Sequence, residues 1–176
     1  MTHILSVLNT PRLVIRPLVP ADAAALFRIL GDAEVMRFSV GGAHQSVADT
    51  LRWIERAMRH QAKHGFAMFA LACRGGSDII GKCGLEVLPD GRIEIGYRVR
   101  RDKWDQGYAT EAARAWLDYG FSALGVTRVV AMIEKANHRS VRVAEKIGMR
   151  ARAPEIFHDI AVIAYFAEAP VTQDAV

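Results

Sequence analysis

Residues 93–149, IEIGYRVRRDKWDQGYATEAARAWLDYGFSALGVTRVVAMIEKANHRSVRVAEKIGM, decide the fold. They begin as a strand, pass through a short basic turn to Gly107, and continue with the apolar spacing of a helix. A second strand follows over 126–133, and a second helix opens at Asn137. Helix N-termini carry unpaired N–H groups that bind anions. This order therefore predicts a site for a phosphorylated ligand.

The flanking segments complete the pattern of a single α+β domain over 1–176. Apolar periodicity predicts helices over 22–30 and 46–63, the second capped by Ser46. Turn signals separate strands over 12–16, 66–73, 79–88, 92–99 and 160–166. Consecutive strands joined by tight turns form an antiparallel meander. The prediction is a mixed, mostly antiparallel sheet with helices packed over it.

Composition places the chain among ordinary globular proteins. It has 176 residues, 51% of them hydrophobic and 24% charged. No apolar run is long enough for a membrane helix and no signal peptide is recognisable, so we expect a cytoplasmic protein without a membrane partner. Cys73 and Cys83 fall in neighbouring predicted strands, where they could face each other; we expect reduced thiols and no bound metal.

Basic residues crowd around the two helix starts, although the net charge is only +4. They indicate either a solvated surface or an anion site. Nucleic acid is not expected, because no aromatic interleaving or nucleic-acid motif accompanies the charge. The basic residues concerned are Arg98, Arg100, Arg101, Lys103, Lys135, Arg139, Arg142 and Lys146.

The turn over 104–110, WDQGYAT, has features that suit a pyrophosphate. Gly107 permits close approach of the backbone, Ala109 leaves the first helical turn clear, and Thr110 can add a hydroxyl. An ordinary strand–helix turn would look the same.

Asn137 can simply cap its helix, and Ser140 can bond the backbone there. The two strand–helix pairs together, however, predict a split between strands that an extended ligand can enter.

These segments resemble the GNAT superfamily of acetyl-CoA-dependent N-acetyltransferases. Within it, the chain is most similar to the branch of ribosomal-protein N-terminal acetyltransferases and their relatives. The resemblance covers nearly the whole chain and is specific only when its motifs are taken together. They are TPRLVIRP over 10–17, IGKCGL over 80–85, IEIGY over 93–97, GYATEA over 107–112, and the segment 137–149.

The resemblance implies two neighbouring parallel strands that splay apart, with helices on both faces of the sheet. It implies that pantetheine pairs with the strand over 92–99 near Tyr97, Arg98 and Val99. The pyrophosphate would rest on N–H groups of Trp104, Asp105, Gln106, Gly107, Tyr108 and Ala109, with Thr110 nearby. Asn137 would bond the pantetheine arm, and Ser140 would lie near the thioester sulfur.

Two positions depart from the family pattern. Trp104 stands where the phosphate turn usually has Gln or Arg, which should be tolerated because backbone groups bind the phosphate. Ala144 stands where many members have a tyrosine that protonates the leaving thiolate. Ser140 is therefore the candidate proton donor.

Acetyl transfer to an amine needs a base, since amines are protonated at neutral pH. Glu94 is the candidate, acting directly or through water; a salt-bridged strand carboxylate is the alternative. Asp159 and His158 are second candidates, and Glu111 is expected only to complement the helix dipole. A backbone N–H near Val99 can stabilise the oxyanion.

The acceptor site is expected to involve the irregular segment 36–45 and the end of the helix over 46–63, with Phe38, Trp53 and Tyr97 as lining residues. No acidic cluster is apparent in the sequence. A protein N-terminus and a small-molecule amine therefore remain equal alternatives as acceptor. The competing hypothesis is a non-catalytic acyl-CoA-binding module on the same fold. A homodimer is compatible with either.

Overall fold

The computed structural model describes residues 7–170. Its helices are α1 (Ala23–Leu30), α2 (Val47–His64), α3 (Tyr108–Ser122) and α4 (His138–Lys146), with 3-10 turns at Pro20–Asp22 and Arg101–Lys103. Its strands are β1 (Leu8–Asn9), β2 (Leu13–Arg16), β3 (Met68–Cys73), β4 (Ile79–Val87), β5 (Ile93–Val99), β6 (Arg128–Ile133), β7 (Arg150–Phe157) and β8 (Ile160–Glu168).

One sheet contains all these strands, in the order β1-β2-β3-β4-β5-β6-β8-β7. Every neighbouring pair is antiparallel except β5 and β6, which run parallel and share the single pair Glu94↔Val130. Beyond that pair the two strands separate toward the carboxyl end of β5. The expected mixed, mostly antiparallel sheet with splayed strands is confirmed.

Helices cover both faces of the sheet, as expected. On one face, the buried Trp116 of α3 packs edge-on against Phe69 of β3, with ring centroids 5.0 Å apart. On the other face, α1 and α2 pack against Ala70 and Ile79. The alternation of side chains along each strand divides the core into these two layers.

The local signals in the sequence explain most element boundaries. The Ser46 hydroxyl accepts a hydrogen bond from the Asp49 N–H at 3.1 Å and so caps α2. Gly65, with φ of 83°, ends that helix in the left-handed conformation. No helix among residues 7–170 combines the length and apolar character that crossing a membrane requires.

Strand β7 was not predicted, and the reason is its position at the sheet edge. Its residues are mostly exposed, it contains Pro154, and it lacks a buried alternating face. His158 and Asp159, with φ of 48° and 62°, form the two-residue turn that joins it to β8. This turn has neither the Asn-Gly nor the Asp-Gly sequence that marks such hairpins.

The two cysteines do not face each other across neighbouring strands. Cys83 lies opposite Phe69, whereas Cys73 lies opposite Leu13. Both thiols are free, and burial raises the pKa of Cys83.

Candidate active site

Two connected cavities open where β5 and β6 separate. The first, of ≈ 180 Å³, lies between the turn before α3, the first turn of α4 and the end of β5; we call it the turn cavity. The second, of ≈ 390 Å³, lies over β4, β5 and β6 on the face that carries α2; we call it the sheet cavity. Both are lined by Phe38, Tyr97, Arg98, Asn137 and Ser140, so the two cavities meet at these residues.

Backbone N–H groups form one wall of the turn cavity. Gly107 adopts a φ of 82° and Asp105 a φ of 57°, and left-handed residues in such a turn are typical of backbone segments whose N–H groups bind anions. Within the described part of the chain, no group accepts a hydrogen bond from the N–H groups of 105–110. The positive end of the α3 dipole adds to this wall, so the turn is suited to an anion.

Arg12 of the segment before β2 fixes the turn from behind, a role that the sequence did not indicate. Its Nη1 donates to the Gln106 carbonyl at 2.9 Å, and its Nε donates to the Glu111 carboxylate at 2.6 Å. Glu111 also accepts from the Thr10 hydroxyl at 2.6 Å. It therefore ties α3 to the segment that leads into β2, a larger role than complementing the helix dipole.

A second set of contacts joins the turn to α4. The Arg139 guanidinium lies 4.2 Å from the Trp104 ring centroid. The Asp105 carboxylate lies 3.7 Å from Arg139 and 3.4 Å from Arg142. These exposed ion pairs add little stability. They hold several cations around the turn, however, and the cations lining the cavity are Arg98, Lys103, Arg139, Arg142 and Lys146.

The edge of β5 that faces the gap is formed by alternate residues. The Arg100 N–H donates to Ile80 of β4 at 2.7 Å, so by alternation the peptide groups of Arg98 also pair with β4. Of the three residues at which pairing with a ligand is expected, Arg98 thus turns its peptide groups toward β4. The peptide groups of Tyr97 and Val99 face the gap instead.

Trp104 takes a specific position at this edge. Its indole Nε1 donates to the Val99 carbonyl at 2.7 Å. The residue thus fixes the end of β5 against the start of the turn. This hydrogen bond uses a carbonyl group of β5 and none of the N–H groups of 105–110. A tryptophan at this position therefore leaves those N–H groups available to a ligand.

The first turn of α4 reaches the junction of the two cavities. Asn137 Oδ1 accepts from the Ser140 N–H at 3.3 Å, and the Tyr97 hydroxyl donates to the Ser140 carbonyl at 2.9 Å. The Ser140 hydroxyl has no hydrogen-bond partner among the residues described. Ala144 is fully buried in the core. Ser140 is therefore the hydroxyl that α4 presents to the junction.

Glu94 lies at the apex of the split. Its Oε1 accepts from the Met132 N–H of β6 at 3.4 Å. Burial raises the pKa of Glu94 to about 7, against the opposing effect of the Met132 N–H. A carboxyl group with a pKa near neutrality can accept and release a proton under physiological conditions.

Side chains line the sheet cavity, among them the expected Phe38, Trp53 and Tyr97. Lys82 Nζ lies 4.5 Å from the Trp53 ring centroid, and burial lowers the pKa of Lys82 to about 8. Three carboxylates, those of Glu86, Glu94 and Glu134, line the same cavity. These residues lie far apart in sequence, on β4, β5 and after β6, and share a cavity only in the folded chain, so the sequence itself shows no acidic cluster.

The second candidates for the base are less well placed. His158 is exposed and lines the sheet cavity from the β7–β8 turn. Asp159 is exposed and lines neither cavity. Within residues 7–170, no group of three or more His, Cys, Asp or Glu side chains is arranged to hold a metal ion.

Comparison with known proteins identifies the architecture. A family model described as acetyltransferase (GNAT) domain matches residues 12–150. YkkB of Bacillus subtilis (strain 168), an uncharacterized protein, is 35% identical over 146 residues, which are 81% of this chain and 84% of YkkB.

Solved structures agree with this match. An acetyltransferase (GNAT family) from Bacillus anthracis superposes with a TM-score of 0.80 at 27% identity, covering 92% of this chain and 98% of that one. RimL, a ribosomal L7/L12 alpha-N-protein acetyltransferase in complex with coenzyme A, superposes with a TM-score of 0.79 at 16% identity. The match covers 93% of this chain and 98% of RimL, and it shows a shared fold.

Proposed function

The chain belongs to the GNAT family of acetyltransferases, and from this premise we propose that it moves the acetyl group of acetyl-CoA to a primary amine. The amine is that of a small molecule or of a protein N-terminus, and it attacks directly in a ternary complex. The observation that carries the proposal is the continuity of the two cavities. A donor bound along the turn cavity and an acceptor in the sheet cavity would meet between Ser140 and Glu94.

The turn cavity has the chemistry that coenzyme A requires. The pyrophosphate of coenzyme A fits the N–H groups of 105–110 and the cations of α4. The pantetheine amides fit the edge of β5 at Tyr97 and Val99, whose peptide groups face the gap between β5 and β6. The Asn137 amide nitrogen has no partner among the described residues and is available to the same arm. RimL, which shares the fold, is a coenzyme A complex, and this supports the choice of ligand.

Glu94 and Ser140 supply the two proton transfers. Glu94 accepts the proton of the ammonium group, directly or through water, so that the neutral nitrogen can attack. The nitrogen forms a bond to the acetyl carbonyl carbon, the carbon–sulfur bond breaks, and the nitrogen releases its second proton, which passes through water to Ser140 and replaces the proton that Ser140 gives to the sulfur. The N–H of Val99 or Tyr97 stabilises the charge on the carbonyl oxygen, and the Ser140 hydroxyl protonates the departing sulfur.

The test measures thiol release from acetyl-CoA with small amines and N-terminal peptides, alongside calorimetric binding of coenzyme A. We expect binding, and turnover that depends on the acceptor. Binding with no turnover of any acceptor would support the acyl-CoA-binding module instead. Failure to bind coenzyme A would contradict both functions.

A further inference from the structure

Two pairs of like charges lie directly opposite each other on one face of β4 and β5. Lys82 is opposite Arg98, and Glu86 is opposite Glu94, with a pair of glycines between them. Side chains two residues apart in a strand share a face, and all four charged side chains line the sheet cavity. Like charges at opposed positions destabilise a sheet, so the fold alone gives no reason for this arrangement.

Glu94 acts electrostatically on both members of the cationic pair, Lys82 and Arg98, but no carboxylate of the described residues contacts either of them. Neither Lys82 nor Arg98 forms an ion pair among the residues described. Arg98 donates to the carbonyl groups of Tyr97 at 3.0 Å and Phe38 at 3.4 Å, both uncharged acceptors. Its Nε is buried and has no hydrogen-bond partner. A buried guanidinium N–H without an acceptor is unfavourable, and this end of the cavity has two cationic side chains with no carboxylate of the described chain at ion-pair distance.

The opposite end has the reverse charge. Glu86 and Glu134 form no ion pair within residues 7–170, and Glu94 accepts only from the Met132 N–H. Four residues separate the two ends along each strand, which is on the order of 13 Å between Cα atoms. The long side chains shorten the distance between the charges, so a molecule with a few carbon atoms between its two charged groups can reach both ends.

We propose that the acceptor is a short amino carboxylate, whose carboxylate binds Lys82 and Arg98 while its amine faces Glu94. This rests on the proposed acetyl transfer and specifies its substrate class. A diamine of the same length would place an ammonium group against Lys82 and Arg98, which repels it. A simple alkylamine would leave the cationic pair without an anion.

The test uses three acceptors that differ only at the far end: 5-aminopentanoate, 1,5-diaminopentane and pentylamine. Their kcat/KM values are measured with acetyl-CoA, and their binding to the protein saturated with coenzyme A is measured by calorimetry. We expect 5-aminopentanoate to exceed each of the others at least about tenfold in both measurements, from its charge-assisted hydrogen bonds. Homologues with three to six carbons then locate the best spacing.

The variant Lys82→Met keeps the side-chain length and removes the charge. We expect it to lower the preference for 5-aminopentanoate over pentylamine about tenfold and to leave coenzyme A affinity unchanged. Lys82→Arg should retain the preference. Lys63→Met, the same change at an exposed lysine of α2, is the matched control and should alter nothing.

Three results would overturn the amino carboxylate proposal. They are a preference for 1,5-diaminopentane, an unchanged preference in Lys82→Met, and no binding of any of the three acceptors. None of these contradicts acetyl transfer itself, because coenzyme A binding and turnover of N-terminal peptides test that function separately.

Discussion

The turn cavity and the sheet cavity are adjacent but differ in how the chain builds them. One wall of the turn cavity consists of consecutive N–H groups from a short segment, supported by Arg12 and by the start of α4. The sheet cavity is lined by residues from α2, the start of α4, the six strands β3 to β8 and several of the loops between these elements. A site made of backbone N–H groups keeps its donors when side chains change, whereas a site made of side chains changes with each substitution. Donor binding should therefore be robust, and acceptor chemistry should depend on single residues.

Glu94→Gln is the sharpest way to separate the two cavities. The variant removes the base but keeps an oxygen for the Met132 N–H. We expect kcat at pH 7 to fall by about 10²–10⁴-fold, as for loss of a positioned general base, with coenzyme A affinity nearly unchanged. Activity of the natural chain should rise with pH through about 7, where Glu94 loses its proton. The variant should lose that rise.

The pH–rate profile is the readout that decides this prediction. A Glu94→Gln profile that keeps the same rise near pH 7 would exclude Glu94 as the base. Asp159→Asn is the control, because Asp159 is an exposed carboxylate outside both cavities. It should leave both the rate and the profile unchanged.

Ser140→Ala tests the junction of the cavities. If the hydroxyl protonates the departing sulfur, kcat should fall by about 10²-fold, the lower end of the contribution of a positioned general acid, while the capping hydrogen bond from the Ser140 N–H to Asn137 remains. Single-turnover measurement at saturating acetyl-CoA separates the chemical step from binding. Ser140→Thr, which keeps a hydroxyl, should recover most of the rate. A drop in coenzyme A affinity that accounts for the lost activity would instead assign Ser140 to the turn cavity alone.

The sequence predicted the turn cavity much better than the sheet cavity, for a physical reason. Helix starts, left-handed glycines and cap residues act over a few positions, so Gly107 and Asn137 were recognisable locally. Glu86, Glu94 and Glu134 become a cluster only through strand register and topology. Arg12 and the Trp104 indole act through contacts with distant segments, and no local pattern marks such partners. The edge strand β7 was missed because it has no buried face.

Gly107→Ala should affect the turn cavity alone. Gly107 has a φ of 82°, and a Cβ there would lie 3.3 Å from the Arg12 Nη2. The left-handed conformation costs a non-glycine residue about 1–2 kcal/mol. A backbone change that relieves this strain would turn the N–H groups away from the phosphate. We therefore expect coenzyme A to bind about tenfold more weakly, with kcat at saturating substrate little changed.

Gly125→Ala is the matched control for that change. Gly125 also has a positive φ, of 67°, and a Cβ there would meet nothing within 4 Å. Both variants should lower the melting temperature, but only Gly107→Ala should weaken coenzyme A binding by calorimetry. Equal affinities in the two variants would show that the wall of N–H groups does not bind the cofactor.

The smallest expected effect comes from exchanging the tryptophan that lines each cavity for phenylalanine. Trp104→Phe removes the hydrogen bond to the Val99 carbonyl but keeps a ring for Arg139. One neutral hydrogen bond is worth about 0.5–1.5 kcal/mol, and we expect the lower end of that range here, a loss of coenzyme A affinity of about two- to threefold. Trp53→Phe should instead raise the KM of the acceptor, because a smaller ring attracts Lys82 less strongly. Calorimetry and acceptor kinetics on both variants distinguish the effects. Because Trp104 lines only the turn cavity and Trp53 only the sheet cavity, a change in both constants in either variant would mean that the cavities act as one site.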